Sequence, residues 1–491
     1  MPDHVLPAPP RLVLSTMPVA ALAGLPHRAL AQRVHLYGDG IPGGLTLPCR
    51  WSVGDGSWTL VPADDPRPEL SWPGTRLEIN AGEAVVTAGG MSEFPLYRVR
   101  GPGSGGHLVS SSIFLAAAAA AEWHGTCPPG DAAVISHDAA TPFPAVRRFL
   151  PGTVTTIGLR ADGGVAATRE DPDPLLQAGT PTVTDPAAAA RMLLDALTAA
   201  LEEATAPGPP TAVLLSGGID SGTVTTLAHR LGRDLHAFTA GSPWGSESAE
   251  AAELAGFLGI PHTSVDLSAG ELIRAVPQAI SILGTAAPEK VDIALTVVAL
   301  LRTGLVGPGQ VLTGYGSDLI NLGLPGPPGQ DRTALLAGLI DGIDETRYSG
   351  EFSPLLGLTF GKVLVHPFWH PRVLSAAFAA DPLCKIAGGR EKGHLRAAMA
   401  GLVPSAVAWR EKKAMHHGSG LQGGLDRLFG GPDRKAAAYL ACFGEIAARA
   451  AAPAGAAADE AGALRSLAAF LGDDSPLEAA RVPDRTGAGP A

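Results

Sequence analysis

The sequence predicts an α/β protein: a β-rich N-terminal domain, then a doubly wound parallel sheet with an α-rich C-terminal part. Three observations predict it. A chain of 491 residues exceeds what one hydrophobic core ordinarily serves, so two domains are expected. Up to about residue 160, short β-like runs such as "AVVTA", "PLYRVRG" and "HLVSS" are separated by Gly and Pro clusters, the pattern of an antiparallel sheet. From residue 211, short apolar runs alternate with helix-like stretches, the pattern of a parallel sheet with crossover helices.

In chain order, the first domain is placed at 1–163. The stretch 164–184 mixes Gly, Pro, Asp and Thr without periodicity and reads as a linker. Asp185 and Pro186 then open "DPAAAARMLLDALTAALEEA", with an N-cap residue, Pro in the first turn and apolar residues at helical spacing, so the second domain is placed at 185–450. Within it the expected order is strand 212–215, helix from about 220, strand 236–240, helix "SAEAAELAGFLG" and strand "TSVDL". Beyond about 270 the sheet is expected to give way to helices. Residues 451–491, rich in Ala, Gly and Pro, read as a tail, partly helical and frayed at its end.

A formal net charge of −11 and a pI near 5.7 argue against nucleic acid or an anionic membrane as the main partner. The four cysteines lie far apart with no C-x-x-C pair, which suits neither a zinc framework nor a disulfide scaffold and points to a reducing cytoplasm. The opening "MPDHVLPAPPRLVLSTMPVA" is interrupted by Pro and carries an acid, so no secretory signal is expected. The Ala-rich stretch 113–121 is too short to span a bilayer. A homo-oligomer is compatible with this composition.

The most informative stretch is "AVLLSGGIDS", an apolar strand that breaks into a Gly-rich loop and resumes as a helix. In a doubly wound sheet, ligands sit where strand ends meet helix N-termini. Gly217 and Gly218 allow a tight turn and close backbone approach, and Ser216 and Ser221 add hydroxyls, so the loop reads as an anion cradle. The G-K-[ST] ending of kinase-type phosphate loops is missing, and Asp220 stands there instead. A carboxylate aimed at phosphates needs an intervening cation, which makes Asp220 a candidate Mg²⁺ ligand. The plain alternative is a Gly-rich turn with an ordinary helix cap.

S-G-G-I-D-S after a strand resembles the pyrophosphate loop of the ATP pyrophosphatases, which include asparagine synthetases and split ATP to AMP and pyrophosphate. "VLTGYGSDLI", 311–320, resembles the second metal motif of the asparagine synthetase superfamily, and Asp318 would share the Mg²⁺. Its T-G-Y-G-S-D form is similar to β-lactam and carbapenam synthetases. "GEFSP", "VHPFWHPRVL", "GREKGHLRAAM" and "EKKAMHHGSG" follow in that family's order, so the resemblance runs over about 185–425.

That resemblance implies ATP- and Mg²⁺-dependent adenylation of a β-amino acid, followed by closure of its own amine onto the acyl-adenylate. It further implies a proton-accepting dyad of Tyr315 and Glu351, charge stabilisation by Lys412, and contact of Lys392 with pyrophosphate. The register leaves Lys413 as an alternative to Lys412. The chemistry asks for such groups, because an amine near pKa 10 must lose a proton to react and ring closure builds oxyanion charge. His366 and His370 have the spacing of a helical zinc pair, but Pro367 and the lack of a nearby acid assign them to packing.

Two departures qualify the resemblance. Glutaminase domains of this superfamily carry Cys directly after Met1, whereas here Pro2 follows and the first cysteine is Cys49, so a degenerate glutaminase-like (Ntn-hydrolase-like) N-terminal domain is expected. The acid that holds a guanidinium in the clavulanic-acid type corresponds to Gly342, with Asp341 beside it, so an arginine-derived substrate is not implied. The leading reading is a β-lactam-forming cyclase. An intermolecular amide ligase, a lasso-peptide macrolactam cyclase and an inactive binding scaffold are the alternatives.

Overall fold

The protein is seen in a computed structural model, which describes residues 12–15, 19–22, 27–31, 34–38, 49–54, 57–62, 75–79, 83–92, 94–102, 106–158, 167–170, 179–205, 210–323, 331–351, 353–386, 389–410, 420–450 and 460–471. The β-rich part contains β1 (Leu12–Ser15), β2 (His27–Ala31), β3 (Val34–Gly38), β4 (Cys49–Gly54), β5 (Ser57–Pro62), β6 (Arg76–Ile79), β7 (Glu83–Thr87), β8 (Tyr97–Arg100), β9 (His107–Ser110), β10 (Val146–Arg148), β11 (Thr153–Gly158) and β12 (Ala167–Glu170). They form two six-stranded antiparallel sheets, ordered β10-β8-β9-β1-β3-β2 and β12-β11-β7-β6-β5-β4. β12 lies inside the 164–184 stretch and pairs with β11 through Thr153↔Glu170.

Helix α1 (Ile113–His124) starts at Ser112, whose hydroxyl accepts from the Leu115 amide. Its run of Ala116 to Ala120 is buried, and such small side chains let neighbouring elements approach closely. Phe114 and Phe143 meet Phe443 of the helix Pro432–Ala450, with ring centroids 5.0 and 5.7 Å away. One apolar core therefore runs from the first β sheet into the α-rich part. No helix among the described residues is long and apolar enough to cross a membrane.

The second half opens with α2 (Pro186–Ala204), where Asp185 accepts from the Ala188 amide at 2.8 Å and Pro186 fills the first turn. Then come β13 (Thr211–Leu214), α3 (Ile219–Arg230), β14 (Leu235–Gly241), α4 (Ser248–Leu258) and β15 (His262–Asp266), in the order expected from the sequence. Helices α5 (Ala269–Leu283) and α6 (Pro288–Arg302) follow.

The sheet does not end near residue 270. β16 (Gly309–Leu312) pairs in parallel with β13, Val213 opposite Leu312, and β17 (Lys362–Val365) pairs with β16. Both strands have four residues, too few for periodicity to separate strand from buried helix. The order β15-β14-β13-β16-β17 reverses direction at β13, so the carboxyl ends of β13 and β16 flank a topological switch point. After β16 come α7 (Ser317–Ile320) and α8 (Arg332–Ser349).

Candidate active site

The loop after β13 turns through Gly217, whose φ of +69° lies in the left-handed region. A Cβ there would come within 2.5 Å of Glu250 Cβ and 2.8 Å of the Ala251 nitrogen, so glycine lets the loop lie on the start of α4. Gly218 is the N-cap of α3, and no side chain caps that helix. The Ser216 amide donates to Ser221 Oγ at 3.1 Å, and the two hydroxyls lie 3.1 Å apart, which closes the loop on the first turn of α3. Uncapped first-turn amides with converging hydroxyls make a site for an anion.

The loop after β16 packs directly on this turn. A Cβ at Gly314 would lie 2.6 Å from the Ser221 nitrogen and 2.9 Å from the Asp220 carbonyl carbon, so only glycine allows the contact. The Ser317 hydroxyl donates to Asp220 Oδ1 at 2.5 Å. Asp220 and Asp318 both pair with the ammonium of Lys392, which is fully buried. A Cβ at Gly323 would overlap Lys392 Cε and Asp318 Oδ1. Burial alone would lower the Lys392 pKa, but the two carboxylates outweigh it and hold the ammonium above its ordinary value.

Two carboxylates from different loops thus converge on one cationic atom. Mg²⁺ takes oxygen ligands and is commonly held by one or two carboxylates, with substrate phosphates and water filling the rest. The donor set of Asp220 and Asp318 fits that ion.

Tyr315 sits between the two Gly turns of the second motif and stacks on His366 with ring centroids 5.7 Å apart. Its hydroxyl donates to the Ile293 carbonyl of α6 at 3.3 Å. Burial, then the nearby Glu351 charge, raises the Tyr315 pKa. The His366 ring meets Thr313 Oγ1 at 2.6 Å, and burial depresses its pKa to about 3, so it is neutral. His370 instead caps the next helix, accepting from the Arg372 amide.

Glu351 follows Gly350, which ends α8 with a φ of +71°. The end of α8 is tied to the β-rich part: Arg347 donates to the Gly90 carbonyl at 3.1 Å, and Arg148 to the Tyr348 carbonyl at 2.8 Å. The Glu351 side chain is 6% exposed, and its Oε2 lies 3.7 Å from Lys290 Nζ. Burial raises its pKa to about 7, opposed by Lys290 and reinforced by Glu289 and Glu345. Such a carboxylate can accept or release a proton at neutral pH.

Lys412 and Lys413 lie outside the described residues. The described chain before them stops at Arg410, whose guanidinium donates to the Gly217 carbonyl at 2.5 Å and pairs with Glu253 at 2.9 Å. Arg396, buried beneath, donates to the Ala408 and Arg410 carbonyls, both at 2.9 Å. Arg410 is therefore fastened to the Gly-rich loop.

Residues 192–343 and 364–430 match the asparagine synthase family. Over 240 residues the chain is 34% identical to the carboxyethyl-arginine beta-lactam-synthase of Streptomyces clavuligerus, covering 48% of this chain and 46% of that protein. It thus spans about half the length of the curated relative it matches.

Among solved structures, NMN synthetase from Francisella tularensis is 17% identical, covering 38% of this chain and 94% of that one, with a TM-score of 0.21. The predicted subunit of tRNA methyltransferase from Methanocaldococcus jannaschii is 16% identical, covering 32% and 67%, with a TM-score of 0.20. At such scores neither bears on the site.

Ser216, Asp220, Ser221, Tyr315, Asp318 and Lys392 fall in the segments that match the asparagine synthase family, while Glu351 falls between them. Sequence reasoning missed Ser317, Arg410 and Lys290. Ser317 and Arg410 carry no local signal, since their partners lie 97 and 193 positions away. Lys290 did carry one: a cation in the first turn of α6 opposes the helix dipole and calls for an acid partner from elsewhere.

Proposed function

We propose that this protein is an ATP- and Mg²⁺-dependent C–N ligase that adenylates the carboxylate of a β-amino acid and closes it to a β-lactam, releasing AMP and pyrophosphate. The observation that carries the reading is the convergence of the Gly217–Gly218 loop, Asp220 and Asp318 at the switch point, with Tyr315 and Glu351 on the second motif's side. The similarity to a β-lactam-synthase, which extends along 48% of this chain, supports it.

In this reading the first-turn amides of α3, with Ser216 and Ser221, bind the departing pyrophosphate. Asp220 and Asp318 would hold Mg²⁺, which screens phosphate charge when bound. Lys392, resting between those acids, is placed to turn to the pyrophosphate once other charges arrive. The substrate amine gives its proton to the dyad: Tyr315 passes it toward Glu351, whose pKa near 7 suits the exchange. The freed amine then attacks the acyl-adenylate carbonyl and AMP leaves. Lys412 is assigned to the oxyanion, a role that contributes on the order of 3 kcal/mol in comparable sites.

The β-rich part, 1–163, is read as a glutaminase-like domain without a nucleophile, joined through 164–184 to the synthetase domain at 185–450. Its two antiparallel sheets support that reading. A small β-amino acid is the partner, handled in the cytoplasm.

The test supplies ATP, Mg²⁺ and a set of β-amino acids, and follows ATP–pyrophosphate exchange and product mass. Exchange that depends on the acid, with a product lighter by one water, is expected. AMP formed only when a second amine is added would assign the intermolecular ligase. Tight ATP binding with no exchange for any acid would assign the scaffold.

A further inference from the structure

We propose that Lys290 is the positioning cation of the dyad, and that α6 holds both dyad members from one face. This rests on the proposed roles of Tyr315 and Glu351 but concerns residues that reading does not use. Lys290 Nζ lies 3.7 Å from Glu351, 3.7 Å from Glu345 and 3.9 Å from Glu289. Of these three acids only Glu351 is buried; Glu345 and Glu289 side chains are 53% and 65% exposed and well solvated. The lysine, itself 11% exposed, therefore spends its charge chiefly on Glu351.

Three residues on, along the same face, the Ile293 carbonyl accepts the Tyr315 hydroxyl. One helix turn thus sets where the phenol points and where the carboxylate rests. The rotation of that helix is fixed from its neighbouring residue: Asp292 accepts from Lys435 Nζ at 2.6 Å and from the Tyr439 hydroxyl at 2.8 Å, and Lys435 also pairs with Asp426 at 2.7 Å. All of that anchor except Asp426 is deeply buried. Breaking a buried pair of this kind is costly, so α6 cannot roll without losing it.

The groups facing Glu351 are Lys290 and Glu289 from α6, Glu345 from α8 and Tyr315 from the β16 loop. Among the described residues, Lys290 is the sole cation of this group. Removing it leaves two like-charged neighbours, Glu289 and Glu345, and a low-dielectric site, so Glu351 holds its proton to higher pH and stops serving as acceptor near neutrality.

The experiment labels glutamate with carbon-13 at the side-chain carboxyl and follows Glu351 by NMR across pH, its signal identified by its loss in Glu351→Gln. In Lys290→Met the Glu351 titration should move up by on the order of one pH unit, while Lys290→Arg should leave it near the wild-type position. The alkaline-rising limb of ring closure should shift with it, with ATP–pyrophosphate exchange changed less than about threefold. An unshifted Glu351 titration in folded Lys290→Met would overturn the proposal, as would equal loss of exchange and closure at every pH. The titration needs no substrate, so a wild type without exchange would sink the ligase reading while leaving the charge relation between Lys290 and Glu351 measurable.

Discussion

The Ser317 hydroxyl donates a 2.5 Å hydrogen bond to Asp220 Oδ1, joining the first turns of α7 and α3 across 97 positions of sequence. Through this bond the second Gly-rich motif holds the first motif's acid in place. A hydrogen bond to a charged group is worth about 1.5–3 kcal/mol. Ser317→Ala should therefore lower ATP–pyrophosphate exchange by at least about tenfold, read at saturating β-amino acid, with a fall of only a few degrees in Tm. Unchanged exchange would mean that Asp220 is oriented by something else.

Gly314→Ala tests the backbone contact beneath that bond. The added Cβ would meet the Ser221 nitrogen at 2.6 Å, and backbone on both sides leaves nothing flexible to yield. Overpacking of this kind costs about 1–3 kcal/mol. We expect a lower Tm together with weakened ATP binding, measured calorimetrically. Gly338→Ala on α8, where a Cβ would meet nothing within 4 Å, should do neither.

Much of this was legible beforehand. The break at Ser216, the Asp185 cap and the Tyr315–Asp318 turn are local patterns, each fixed by backbone requirements within a few residues. What the sequence could not display are the charges that meet in space. Lys392 reads as one basic residue in "GREKGH", yet it is wholly buried between two acids that lie far upstream. β17 escaped because "KVLV" is too short for its period to be read.

Glu351→Gln should separate stability from chemistry. The folded-state pKa of about 7 lies above the ordinary carboxylate value of 4.5, so the folded protein binds the extra proton between those two values. Stability therefore falls as pH rises through that window, by an upper bound of about 3 kcal/mol. The glutamine variant, which has no charge to bury, should be more stable than wild type at pH 8 and gain nothing at pH 4. Adenylation should persist and closure should slow. A variant that loses Tm at pH 8 would show the carboxylate to be stabilising there.

Lys392→Met removes the cation from between Asp220 and Asp318. The two carboxylates then repel each other in a partly buried site, and Tm measured in a chelator should drop by several degrees. Added Mg²⁺ should restore most of that loss in the variant and raise wild type far less. Equal response of both proteins to Mg²⁺ would remove the metal role from these two acids.

The most direct measurement of the central claim uses a β-amino acid labelled with oxygen-18 in its carboxylate, turned over with ATP and Mg²⁺. Attack of that carboxylate on the α-phosphorus, followed by closure of the substrate's own amine, predicts AMP carrying one oxygen-18, unlabelled pyrophosphate, and a cyclic product retaining the other label. Label in the phosphate products other than AMP, or AMP without label, would contradict adenylation at this site.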